Sequence, residues 1–114
     1  MLTLEKLEEF GANVEDGLGR CMNNEAFYLR LVGMVISDDK LDRLGELIEA
    51  NELDGAFETA HALKGMYGNL SLTPVYTPLC EMTEYLRKRT QMDYGPLLLE
   101  AKRQKKILTD LAGD

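Results

Sequence analysis

Apolar residues recur along most of the chain at intervals of three and four, which is the period of a helix with one buried face. No stretch of the sequence shows the strict apolar–polar alternation of a half-buried strand. The pattern therefore predicts an all-α fold, an antiparallel helical bundle with short loops and one or two short additional N-terminal helices. The 114 residues fit one domain, so we expect residues 1–114 to form a single domain.

Capping residues predict where the first helices begin and end. Thr3 and Asn24 have side-chain oxygens that can accept a hydrogen bond from a helix N-terminus, and each precedes an apolar run of helical period. The first helix should end at Gly11, and the stretch 14–22 should form another turn or two. The helix after Asn24 should run to about Ile36.

Similar signals divide the second half of the chain. Asp54 is predicted to cap a central helix that runs to about Ser71. Thr73 followed by Pro74 predicts the start of the next helix, because a capping hydroxyl is typically followed by proline at the first helical position. Asp93 is predicted to cap the last helix.

The central helix contains His61, the only histidine of the chain. At 100° per residue, His61 lies roughly 120° from the centre of the apolar stripe on this helix. The ring should therefore point largely to solvent rather than into the core. The stripe itself comprises Leu53, Ala56, Ala60, Leu63 and Tyr67.

The neighbours of His61 on its own face are unusual. Gly65 and Gly68 follow it by four and seven residues, although each glycine inside a helix costs about 1 kcal/mol relative to alanine. We interpret them as clearing side-chain bulk for a docking partner; close helix packing is the alternative. Lys64 is placed to reach an anionic group on the ring. Phe57, one turn earlier, is a candidate centre of the docking patch or ordinary peripheral packing.

An exposed imidazole beside a cation suits a reversible phosphoryl carrier, since phosphoryl transfer depends mostly on positioning and charge stabilisation. One histidine and one cation suffice if the partner supplies Mg²⁺ and further electrophilic groups. A structural histidine is the ordinary alternative, but the exposed position of His61 argues against it. A metal ligand is disfavoured, because the chain has no second histidine and no cysteine close in sequence.

The run His-Ala-Leu-Lys-Gly at residues 61–65, with an aliphatic residue following, resembles the signature of histidine-containing phosphotransfer (HPt) domains of multistep two-component phosphorelays. The resemblance implies a four-helix bundle with His61 as the exposed phosphoacceptor and Lys64 as the cation facing the phosphate. It implies a docking surface at Gly65 and Gly68. Tyr67 stands where a small residue is frequent, and we interpret it as a packing residue.

The same resemblance implies the partners, which would be receiver domains of a hybrid sensor histidine kinase and of a response regulator. Mg²⁺ is then expected on the partner receiver domain, with no cofactor intrinsic to this chain. No ATP-binding or autokinase motif is visible, so we expect a phosphoryl carrier rather than an enzyme. Two alternatives stay open: a helical docking module that is never phosphorylated, and a phosphoacceptor fragment of a larger histidine kinase.

Charge and cysteine content narrow the function classes. The net charge of −7 disfavours binding to nucleic acid or to anionic membranes, because both are polyanions. No segment approaches the ~20 apolar residues that span a bilayer, and the N-terminus does not resemble a signal peptide. Two unclustered cysteines form neither a metal motif nor a disulfide framework. We therefore expect a cytoplasmic protein, and a monomer is the default for a standalone carrier.

Overall fold

The computed structural model describes residues 1–113, and α-helices account for most of them. This part of the chain contains no β-strand, so the all-α prediction is confirmed. None of its helices is long and apolar enough to cross a membrane. The seven helices are α1 (Leu4–Phe10), α2 (Val14–Arg20), α3 (Glu25–Ile36), α4 (Lys40–Glu49), α5 (Leu53–Asn69), α6 (Thr73–Arg87) and α7 (Gly95–Gly113).

Helices α4 to α7 form the bundle. The most extensive packing joins α5 to α6, α6 to α7 and α4 to α5. Residues 50–52 connect α4 to α5, and residues 70–72 connect α5 to α6. Three residues are too short to span the length of a helix, as a parallel arrangement would require. Neighbouring helices in α4–α6 therefore run antiparallel. The bundle closes where α7 meets α4 at Gly45, since a Cβ there would lie 3.3 Å from Leu98 Cδ2.

The core follows the periodicity of the sequence. On α5, the buried side chains are those of the predicted stripe, and Leu53 at its start is half-buried. Burial raises the pKa of Tyr67 to about 12, because the ionised phenol would lose its hydration. Tyr67 is 1% exposed, so its interpretation as a packing residue is confirmed. The buried members of the stripe are Ala56, Ala60, Leu63 and Tyr67.

Three capping predictions are confirmed by hydrogen bonds. Thr3 Oγ1 accepts a bond of 3.1 Å from the Lys6 amide at the start of α1. Asn24 Oδ1 accepts one of 3.0 Å from the Phe27 amide at the start of α3. Asp93 Oδ1 accepts one of 2.8 Å from the amide of Gly95, the first residue of α7. Each side chain satisfies an amide that has no partner within its helix.

Two capping predictions are wrong. Asp54 lies inside the first turn of α5 rather than before it, and its carboxylate pairs with Arg89 Nη2 at 2.6 Å. Thr73 is already the first residue of α6, and its hydroxyl bonds the Ser71 carbonyl at 3.4 Å. Helix α5 ends at Asn69, two residues earlier than predicted, because Ser71 has a φ of +55° that no helix continues through.

The stretch predicted to form another turn or two contains the seven-residue helix α2, which is fixed to the bundle. The Asn13 amide donates to the Ser71 carbonyl at 3.0 Å, and the Ser71 hydroxyl bonds the Asp16 carboxylate. Behind them, Tyr28 of α3 donates to the Leu70 carbonyl at 2.8 Å. These bonds hold α2 and α3 against the C-terminal end of α5.

Candidate functional site

His61 is the ninth of the seventeen residues of α5, and its side chain is exposed, as predicted. It makes no hydrogen bond and no ion pair with residues 1–113. Its one ring contact is with Phe57, one turn earlier, at 5.7 Å between ring centroids and a 31° tilt. Both ring nitrogens are therefore open to an approaching molecule.

Phe57 is half-buried, and its ring contacts both His61 and a cation. Arg87, the last residue of α6, places its guanidinium carbon 5.0 Å from the Phe57 ring centroid. This is cation–π geometry, and it fixes the ring on which His61 rests. Sequence reasoning did not find Arg87, because its position depends on how α6 packs against α5. The docking role of Phe57 stays a prediction.

A groove of about 440 Å³ opens beside His61. One of its walls comes from α5, the second from the start of α6 and the loop before it, and the third from α2. The groove brings together four of the five predicted site residues; Phe57 lies outside its lining. Its lining residues are Asn13, Asp16, Arg20, His61, Lys64, Gly65, Gly68, Asn69, Ser71, Thr73 and Tyr76.

Lys64 is the cation of the α5 wall. Its side chain is half-buried, and it forms neither a salt bridge nor a hydrogen bond with any other residue that the structure describes. The charge is therefore uncompensated beside the imidazole. An ammonium in this state is suited to an incoming anion, although the role of Lys64 in binding phosphate stays a prediction.

The two glycines differ in their surroundings. A Cβ added at Gly65 would meet no atom within 4 Å outside its own helix, so the surface beside His61 is open. A Cβ at Gly68 would lie 2.8 Å from Tyr76 Cε1, closer than atoms approach without movement. Gly68 therefore permits α6 to pack closely, which was the alternative considered from the sequence. The docking role of both glycines stays a prediction.

Comparison with known proteins places this geometry in a family. The model of the Hpt domain matches residues 36–113, well over half of the chain. The chain belongs to the Hpt domain family. The match includes α5 with His61 and Lys64, and the four helices of the bundle. Comparison with curated proteins and with solved structures gave no significant match.

Membership of the Hpt family indicates the general function of the chain. An Hpt domain is a helical bundle with a phosphotransfer role in two-component signalling, and it interacts with receiver domains. Hpt domains are phosphocarriers rather than ATP-using kinases. The resemblance noted at residues 61–65 is thus confirmed at the level of the family.

Two alanine variants of this Hpt domain should separate the roles of its glycines. Gly65→Ala should raise the free energy of unfolding by about 0.5–1 kcal/mol, because alanine is the better helix former and its methyl group meets nothing. Gly68→Ala should leave the protein less stable than Gly65→Ala by about 1–3 kcal/mol, since Tyr76 must move. Urea denaturation followed by circular dichroism measures both. Equal stability of the two variants would contradict the close contact at Gly68.

The groove also contains two residues that sequence reasoning missed. Asp16 and Arg20 lie in α2 and pair at 3.0 Å between Arg20 Nε and Asp16 Oδ2. The Ser71 hydroxyl, followed by Arg20, holds the pKa of Asp16 below its ordinary value. The spacing of four residues predicts the ion pair within a helix. No local pattern predicts that α2 lies beside the histidine.

The described part of this Hpt domain contains no cluster of metal-ligating side chains. Among the described residues, no three His, Cys, Asp or Glu side chains come together in a group able to hold a metal ion. The two cysteines, Cys21 and Cys80, are free thiols, one buried and one half-buried.

Proposed function

We propose that this Hpt domain is a phosphorelay intermediate. His61 accepts a phosphoryl group from the aspartate of one receiver domain and passes it to the aspartate of another. The donor belongs to a hybrid sensor histidine kinase, and the acceptor to a response regulator. The Hpt family supports phosphotransfer in general, and the assignment to His61 and to these two partners is our proposal.

The observation that carries the proposal is the exposed, unbonded ring of His61 beside the open surface at Gly65. A partner must bring its aspartyl phosphate to bonding distance of a ring nitrogen, so bulky neighbours would prevent transfer. The absence of a Cβ at Gly65 leaves room for that approach. The Phe57 ring packs against the imidazole, and the Arg87 guanidinium contacts the Phe57 ring in turn.

The chemistry requires little from this chain. In the neutral imidazole, one ring nitrogen carries a lone pair and the other a proton. The lone pair of His61 forms a nitrogen–phosphorus bond while the phosphorus–oxygen bond of the aspartyl phosphate breaks. The departing electron pair stays on the receiver carboxylate, and the second ring nitrogen keeps its proton. Lys64 offsets the negative charge of the phosphoryl oxygens during transfer. The reverse sequence of bond changes delivers the group to the next receiver.

The receiver supplies the remaining electrophilic groups, including Mg²⁺. Because the groove of the Hpt domain brings only two cations, Lys64 and the Asp16-paired Arg20, metal assistance from the partner completes the charge balance. The chain itself neither binds ATP nor needs a cofactor of its own.

We also propose a monomer that works in the cytoplasm. The free thiols of Cys21 and Cys80 fit a reducing compartment, where disulfides are rare. A monomer fits a carrier that must offer the same histidine face to two partners in turn.

Phosphoryl transfer from a receiver domain tests the proposal. Several purified receivers are charged with acetyl phosphate and Mg²⁺, freed of excess donor and mixed with the Hpt domain. We expect acid-labile, base-stable phosphate on the Hpt domain, found on histidine by mass spectrometry. Because the chain has one histidine, phosphohistidine can only be His61.

Two controls distinguish the relay function from autokinase activity and from a docking module. Incubation with ATP and Mg²⁺ alone should leave the domain unlabelled, and labelling would show autokinase activity instead. Receivers that bind the folded domain but transfer no phosphate to it would support the docking-module alternative and overturn the relay function.

A further inference from the structure

The groove beside His61 has a wall that lies outside the residues matched by the Hpt family, 36–113. That wall is α2 with its cap, which contributes Asn13, Asp16 and Arg20. His61 belongs to the wall that α5 forms. A group attached to the imidazole and directed into the groove would therefore lie between α5 and α2.

The wall is firmly attached at its beginning. The Asn13 amide bonds the Ser71 carbonyl at 3.0 Å, and the Ser71 hydroxyl bonds the Asp16 carboxylate. Gly17 adds a packing contact, because a Cβ there would lie 2.6 Å from the Tyr28 hydroxyl. These specific contacts therefore set the position of α2 relative to α5. Arg20 is the last residue of α2.

Arg20 has unused hydrogen-bonding capacity. Only Nε is engaged, by Asp16 Oδ2 at 3.0 Å, and 55% of the side chain is exposed. The two terminal nitrogens donate to no other residue that the structure describes. They form the planar fork that binds phosphate oxygens in pairs.

The charge of Arg20 already acts within the groove. A hydrogen bond with Cys80 raises the pKa of Tyr76, and the positive charge of Arg20 opposes that rise. Tyr76 lies on α6, so the guanidinium influences a group across the groove from its own helix.

The negative charge of a phosphoryl group on His61 exceeds the positive charge that Lys64 supplies, so a second cation such as Arg20 would stabilise it. A phosphoryl group brings roughly −1.5 to −2 charges near neutral pH, and Lys64 supplies one positive charge. The Asp16 carboxylate adds a negative charge to the same groove, which opposes phosphorylation unless a second cation is present.

We propose that Arg20 binds the phosphoryl group on His61 from the α2 side of the groove, and that Asp16 holds Arg20 while the histidine is unphosphorylated. This inference rests on the proposed function of His61. It makes α2 a part of the phosphate-binding site, with the Arg20–Asp16 pair loosening when the phosphoryl group arrives.

Four variants of the full chain test the role of Arg20. They are Arg20→Ala, Arg20→Lys, Asp16→Asn and Arg30→Ala, the last being the matched control. Arg30 is an exposed arginine on α3 that lies outside this groove, so its removal changes the net charge equally. Each protein is phosphorylated with phosphoramidate, a small donor that needs no docking surface. The ³¹P resonance of the phosphohistidine is then followed against pH, and the phosphoryl distribution is measured after mixing with a receiver.

We expect Arg20→Ala to raise the pH at which the phosphoryl group titrates by about 0.2–0.7 unit, the size of an exposed charge pair. The phosphoryl distribution should shift roughly 2- to 5-fold toward the receiver. Asp16→Asn should move both quantities in the opposite direction, because it keeps an acceptor for Ser71 and frees Arg20. Arg20→Lys should retain part of the effect, and Arg30→Ala should resemble wild type.

The outcomes separate the two proposals. If Arg20→Ala behaves like Arg30→Ala, or if Asp16→Asn shifts in the same direction as Arg20→Ala, Arg20 has no role at the phosphate. Absence of phosphohistidine in the wild-type protein would instead overturn the function proposed for His61.

Discussion

His61→Gln is expected to abolish phosphoryl acceptance from every receiver that charges the wild-type domain. Glutamine has no nucleophilic nitrogen, because the lone pair of its amide is delocalised into the carbonyl. The fold should not change, since the His61 side chain is exposed and, among residues 1–113, its ring contacts only that of Phe57. Incorporation of ³²P measured after mixing with charged receivers gives the result, which should fall to background.

The control for this variant lies on the same helix. Glu58 is exposed three residues before His61, and Glu58→Gln removes a charge without removing the nucleophile. It should keep its capacity to be phosphorylated, and both variants should unfold at the wild-type urea concentration. Label on His61→Gln that resists acid would place the phosphate on another residue and overturn the assignment.

Tyr28→Ala is expected to have the largest effect on stability of the substitutions considered. The Tyr28 side chain is fully buried at 0% exposure, and its hydroxyl donates to the Leu70 carbonyl at 2.8 Å. Removal of a buried aromatic ring costs about 3–5 kcal/mol, a large part of the 5–15 kcal/mol that holds a typical domain folded. Urea denaturation followed by circular dichroism measures the loss.

Two comparison variants divide this loss into its parts. Tyr28→Phe keeps the ring and removes only the hydrogen bond, so it should cost about 1–3 kcal/mol by leaving the Leu70 carbonyl unsatisfied. Tyr85→Ala removes the same side chain from a position that is 38% exposed, and it should cost about 1 kcal/mol or less. A loss at Tyr28 no greater than that at Tyr85 would show that Tyr28 does not anchor α3.

Local periodicity predicted the parts of the site that depend on one helix. Ala56, Ala60 and Leu63 are buried and His61 is exposed because both outcomes follow from residue spacing within α5. The capping of α1 and α3 was predictable for the same reason, since each cap acts on an amide three residues away.

Features that depend on contacts between distant residues were not predictable. Asp54 was predicted to cap α5, but the carboxylate pairs with Arg89, which α6 and the loop after it bring close. Gly68 was interpreted as a docking residue, and its contact with Tyr76 appears only when α6 packs on α5. The α2 wall was missed because hydrogen bonds between residues more than fifty positions apart leave no periodic pattern.

The separation of the α2 wall from the helix that carries His61 has a consequence for evolution. The two lie on different stretches of the chain, and hydrogen bonds at Ser71 attach one to the other. Substitutions on the exposed face of α2 can therefore alter the groove without disturbing the core of α5. After gene duplication, a copy of such a domain would diverge first at the exposed positions of α2, which would change the groove while the phosphotransfer chemistry was retained.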